Sequence, residues 1–139
     1  MKTALLDANV ILRFITKDPP DIAAASRQLF LQAEAGKIGL IILPVTAAEV
    51  VWVLESFYEY PKNQVAETVG DFLRCEGLLV EQAEIIQEAL SLYYSNNLDF
   101  ANALIAATAL RKGPSLVCSF DRHFDQLSGL QRLEPGQES

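Results

Sequence analysis

Apolar and polar positions follow two rhythms along the 139 residues. Short, dense apolar runs occur at 4–6 (ALL), 38–43 (IGLIIL), 78–80 (LLV), 115–119 (SLVCS) and 130–133 (LQRL). Each is the length of a buried strand, and the first, joined by Lys2 and Thr3, ends at Asp7. Between these runs apolar residues recur every three or four positions, the period of a helix with one buried face. Residues 9–15 predict one helix. Pro19 and Pro20 stop it and start a second, from Asp21 to Gly36, with Ile22, Ala25, Leu29 and Ala33 inward. Residues 46–58 predict a third, with Val50, Val53, Leu54 and Phe57 inward and Trp52 in the core. A fourth starts at Pro61 and turns Val65, Val69, Phe72 and Leu73 inward. A fifth, 83–94, buries Ile85, Ile86, Ala89, Leu90 and Tyr93. The stretch 99–110, DFANALIAATAL, forms a sixth, which Gly113 and Pro114 end, and 122–127 read as a single helical turn. Short strands alternating with helices predict an α/β fold, a central short parallel sheet flanked by helices. One domain over 1–134 with a frayed tail at 135–139 is expected.

Half of the residues are apolar and 21% are charged, enough for a packed core. The uncharged stretch 38–48 has eleven residues and contains a proline, against about 20 for a membrane span. Asp7 interrupts the apolar start, so no secretory leader is expected and the chain is placed in the cytoplasm. Cys75 and Cys118 have no CxxC partner and apolar neighbours, and are expected as buried free thiols. His123 is the only histidine, which excludes a multi-histidine zinc site. The net charge of −7 argues against a general basic face for nucleic acid. Any nucleic-acid chemistry must come from a defined site.

Acidic residues stand where such a site forms in an open α/β sheet, beyond the carboxyl ends of strands. Asp7 ends the first strand, and Glu49 lies early in the helix after the second. Asp121 follows SLVCSF, and Asp99 with Asn102 opens the sixth helix. Each has a purely structural explanation. Asp7 and Asp99 suit helix N-caps, Thr46 to Glu49 matches a capping box, and Asp121 suits a turn. Together they ask for more. Two carboxylates about 4 Å apart repel by roughly 4 kcal/mol, and several such pairs rival the ~5–15 kcal/mol stability of a domain. A converging cluster needs a cation, and oxygen ligands select Mg²⁺ or Mn²⁺. Setting aside Asp7, Glu49, Asp99 and Asp121 takes the net charge from −7 to −3.

The segments LLDANVILRFITKDPP, TAAEVVWVLESFY, DFANALIAATAL and SFDRHFDQL resemble, in order and spacing, the motifs of PIN-domain ribonucleases, and most closely the VapC toxins of bacterial toxin–antitoxin pairs. The resemblance runs from Lys2 to about Leu133. It implies a PIN-like fold and a Mg²⁺- or Mn²⁺-dependent endoribonuclease acting on RNA. It also implies a small antitoxin partner and a homodimer. Asp7, Glu49 and Asp121 match acids of the family's site, Ser119 a small hydroxyl residue beside it, and Asn9 a polar residue that sets Asp7. The chain departs at Asn102, where the family usually has aspartate, while Asp99 is kept three residues earlier on the same helix face. Asn102 offers a metal its carbonyl oxygen but no charge.

The resulting expectation places Asp7, Glu49, Asp99, Asn102 and Asp121 around the metal, with Asp125 one helical turn beyond as a supporting acid. Glu49 orients the attacking water. Arg13, Lys17 and Arg122 flank the acidic motifs and are candidate RNA contacts; solvated surface charge is the simpler account of each. His123, beside Arg122, is a candidate general acid or a packed surface residue. A second reading is a PIN domain weakened or silenced by Asn102 that binds RNA or protein. A phosphoaspartyl enzyme fits less well: it needs an acid where Asn9 stands and a lysine after a late strand, whereas Lys112 precedes one.

Overall fold

A computed structural model describes residues 2–137; the last two positions of the expected tail lie outside them. The fold is α/β and divides into two compact units, one up to Ala83 and one from Glu84.

The first unit begins with β1 (Lys2–Leu5), α1 (Ala8–Thr16), α2 (Pro20–Glu34) and β2 (Ile38–Ile42). It continues with α3 (Pro44–Ser56), α4 (Lys62–Leu73) and β3 (Leu78–Val80). The three strands form a parallel sheet in the order β1-β2-β3. Leu5 stands opposite Ile41, and Leu40 opposite Leu78. Parallel neighbours need crossovers, and the helices supply them. The middle strand is the most apolar because both of its edges are paired; Leu40 and Ile42 are buried with Ile11 and Leu12 of α1, Val50 and Leu54 of α3, and Val65 and Val69 of α4. Phe14, Phe30 and Phe72 join α1, α2 and α4 through ring contacts of 4.9, 5.2 and 5.9 Å.

One glycine in this unit has no substitute. Gly77 has φ +89°, and a Cβ there would stand 2.3 Å from the Ala33 carbonyl oxygen at the end of α2. Its own carbonyl accepts from Leu40 N at 3.1 Å, which sets where β3 meets β2. Gly77→Ala is expected to cost about 2–3 kcal/mol, read as a lower urea midpoint with an unchanged m-value.

The second unit comprises α5 (Ala83–Ser95) from its second residue on, α6 (Phe100–Lys112), β4 (Leu116–Cys118), a 3₁₀ turn (Arg122–Gln126) and β5 (Gln131–Leu133). β4 and β5 pair in parallel, with Val117 opposite Arg132. The alanines of α6 allow close packing; Ala103, Ala106 and Ala107 are wholly buried. Arg111 ties α6 to α5 through Glu88 at 3.2 Å and Glu84 at 3.4 Å. Gly113, at φ 75°, ends α6.

Every expected element is present, with differences of one or two residues at the ends. Four expectations need correction. Trp52 is not core but 67% exposed, and so is Phe57, on the solvent side of α3. The inward face of α2 is carried by Ala23, Ser26 and Ala33; Ala33 is inward as expected, while Ile22 and Ala25 are exposed and Leu29 is only half-buried. Both free cysteines are exposed, because β4 buries only Val117 and Cys75 lies beyond the end of α4. The capping box at Thr46 is absent: α3 starts earlier, at Pro44, whose fixed φ suits a helix's first position. Thr46 is thereby inside the helix, and Glu49 is released from the backbone.

Candidate active site

In the first unit the acids stand at the carboxyl ends of adjacent parallel strands. Asp7 follows β1, which is held against β2 up to the bond from Leu6 N to the Ile41 carbonyl (2.9 Å). It occupies the N-cap position of α1 with extended backbone, yet its side chain caps nothing. Asp7 and Asn9 are both exposed, two residues apart at the start of the helix. Glu49 is exposed on the second turn of α3, in a solvent-facing line with Val45, Trp52 and Ser56. Among the described residues neither Asp7 nor Glu49 forms an ion pair or side-chain hydrogen bond. A carboxylate kept only to cap a helix would be bonded to it.

The second unit brings five of the candidate residues, Asp99, Asn102, Ser119, Asp121 and His123, into one hydrogen-bonded group. Asp99 caps α6, its Oδ1 accepting from Asn102 N at 2.8 Å. The Asn102 side chain donates through Nδ2 to Asp121 Oδ2 at 2.9 Å. Asp121 caps the 3₁₀ turn, and its Oδ1 accepts from His123 N at 2.9 Å. The same oxygen meets His123 Nδ1 at 2.6 Å; an ionised carboxylate only accepts, so the ring nitrogen donates. Ser119 Oγ accepts from Asp121 N at 2.9 Å. The start of α6 thus lies at the carboxyl end of β4. The His123 backbone and ring bonds, with the Asn102 amide, hold the Asp121 carboxyl below the usual carboxylate range.

Asp125 is engaged elsewhere. Its two oxygens accept from Arg132 Nε at 2.9 Å and Nη2 at 3.3 Å, a forked pair that also lowers its carboxyl pKa. Arg132 had no part in the sequence reading. A charged residue in a terminal strand, two residues before Glu134 and seven after Asp125, was the only signal for it. Of the candidate RNA contacts, Lys17 is exposed in the left-handed conformation that ends α1, Arg13 reaches the Asp18 carbonyl at 3.4 Å, and Arg122 is exposed.

Both depressed carboxyls carry a pH signature. The folded state binds fewer protons at Asp121 and Asp125 than the unfolded chain does. Their contribution is therefore complete above the ordinary aspartate value, about 3.9, and is lost as pH falls through the lower folded values. Melting temperature should show no loss from these two groups between pH 7 and 5, and should fall below about pH 4. Asp125→Asn should make that acid fall shallower, as calorimetry at stepped pH would record.

The PIN-domain profile matches residues 4–130. The chain belongs to the PIN-domain family. It is also 29% identical to a VapC ribonuclease of Aquifex aeolicus (strain VF5) over 135 residues, spanning 97% of this chain and 98% of that one. This PIN domain is VapC-like from end to end, with asparagine at 102 on the first turn of α6.

The donor chemistry of the candidate residues fits a hard divalent cation. They offer carboxylate and amide oxygens and no set of thiolates or imidazoles. Asp121 Oδ2 keeps a lone pair beyond the Asn102 bond, and Asn102 Oδ1 accepts no hydrogen bond among the described residues. In neither unit do three or more acidic, histidine or cysteine side chains gather into a metal-sized cluster among the described residues. No helix among them is long and apolar enough to cross a membrane.

Proposed function

We propose that the chain is a divalent-metal-dependent endoribonuclease of the VapC toxin kind, hydrolysing phosphodiester bonds in RNA. Asp7 is the observation that carries this reading. It stands at a strand's carboxyl end and at a helix N-cap, and its carboxylate is spent on neither. The likeness to a VapC ribonuclease along nearly the whole of both chains supports the reaction class.

On this reading Asp7, Glu49, Asp99, Asn102 and Asp121 are the residues that would hold Mg²⁺ or Mn²⁺. The bound ion supplies a water of lowered pKa and a counter-charge for the phosphate. Glu49, free of backbone bonds, orients the attacking water. Ser119 and His123 hold Asp121 ionised and oriented, and Asn9 flanks Asp7. Arg13, Lys17 and Arg122 contact the RNA backbone. The protein works in the cytoplasm as one domain over 1–134. A small antitoxin and a second copy of the chain are its protein partners, and the exposed Val45, Trp52 and Phe57 offer them apolar surface.

A weakened or silent PIN domain that binds RNA or protein is the second reading. Asn102 favours it, because the amide gives Asp121 a partner without any cation. Incubating the protein with total RNA in Mg²⁺, in Mn²⁺ and in excess chelator separates the two. Discrete cleavage that needs the metal supports the nuclease. Intact RNA in both metals overturns it in favour of the binding module.

A further inference from the structure

We infer that Arg132 is a positioning residue for the ribonuclease reaction, one that holds the Asp121 loop in place from behind. This rests on the reading of Asp121 as part of the nuclease site.

The segment from Ser119 to Asp125 carries Asp121 at its centre, and Arg132 grips it at both ends. At the first end, Arg132 Nη1 donates to the Ser119 carbonyl at 3.0 Å. At the other, Nε and Nη2 form the fork on the Asp125 carboxylate. The remaining Nη1 hydrogen goes to Glu134 Oε1 at 2.9 Å. Four of the five guanidinium donors are therefore engaged. The strand pairing aims the side chain there: Arg132 stands opposite Val117 in β4, and Ser119 N donates to the Leu133 carbonyl at 3.0 Å. Ser119 is thus held by its N–H, by its carbonyl and, through Oγ, by the Asp121 amide.

Arg132 does not itself meet RNA. Its side chain is 13% exposed, and two carboxylates already face its charge. They keep it protonated well above the ordinary arginine value. What it controls is where Asp121 points, at one remove through Ser119. Lysine cannot substitute, because a point charge cannot hold a carbonyl and fork a carboxylate together.

The test compares Arg132→Gln with Arg132→Lys, Asp125→Asn and Arg111→Gln. The last removes an ion-paired arginine of the same unit that has no bond to the Asp121 loop. His123 is the only histidine and bonds directly to Asp121, so its ring ¹⁵N resonances report on that carboxylate in metal-free protein. Arg132→Gln should shift them in the direction that Asp121→Asn does. Arg132→Gln and Arg132→Lys should each weaken Mn²⁺ binding, measured by calorimetry, about tenfold. kcat should fall with KM for RNA nearly unchanged. Arg111→Gln should do none of this. Asp125→Asn releases one end of the grip and should move the same resonances even if Arg132→Gln fails to fold. A folded Arg132→Gln with native His123 resonances and native Mn²⁺ affinity overturns the inference; so does a native spectrum in Asp125→Asn when Arg132→Gln cannot be folded. The resonance readout needs no catalysis, so loss of the nuclease reading and loss of the Arg132 role show up separately.

Discussion

Asp7→Asn should leave a stable protein that no longer cuts RNA. The exchange keeps the shape of the side chain and removes its charge. No hydrogen bond is broken, because the Asp7 carboxylate caps nothing in α1. Stability should stay within about 0.5 kcal/mol of the native chain, as for surface changes outside special features. Cleavage should fall on the order of 10²–10³-fold, the size of effect seen when a group that stabilises transition-state charge is removed. An unchanged melting curve with lost cleavage separates a chemical role from a structural one. Retained cleavage would place the chemistry elsewhere in the chain.

Asn102→Asp should change the protein in two opposite directions, depending on the metal. In chelator the variant replaces the 2.9 Å bond from Asn102 Nδ2 to Asp121 Oδ2 with two facing carboxylates. Like charges at that distance disfavour the ionised pair and raise one carboxyl pKa. The metal-free variant should melt below the native chain. With Mn²⁺ present the order should reverse, since added ligand charge tightens a hard-cation site and metal binding to the folded state raises its stability. The metal needed for half-maximal cleavage should fall about tenfold, and cleavage at low Mg²⁺ should rise accordingly. Melts in chelator and in Mn²⁺, beside a metal titration of RNA cleavage, check both halves. A variant that melts lower in chelator and gains nothing from Mn²⁺ would show that position 102 serves only the Asp121 loop.

The local order of elements was readable along the chain because it depends on near neighbours. A dense apolar run of three to six residues, or an apolar repeat of three and four, needs only its own period to declare a strand or a helix. The prolines and glycines at 19, 20, 61 and 113 mark breaks for reasons of backbone geometry alone. The acids at 7, 49, 99 and 121 were also visible, since their positions after strands and at helix starts follow from the same order.

What the side chains at those positions touch was decided by folding. The sequence offered a cap role for Asp7 and for Asp99 on equal terms; only the structure separates the idle carboxylate from the bonded one. The capping box at Thr46 was consistent with local pattern and lost to a proline start two residues earlier. Phe57 read as core because it continues the helical apolar period of Val50, Val53 and Leu54, and Trp52 because large aromatic side chains are highly buried on average. The turn of α3 instead sends them outward and buries Val50, Val51 and Leu54. Asn102 and Asp121 are nineteen residues apart, and Arg132 and Ser119 thirteen. No local period relates such pairs. They meet because α6 packs on β4 and β5 pairs with it, so the bonds that aim Asp121 are products of the tertiary structure.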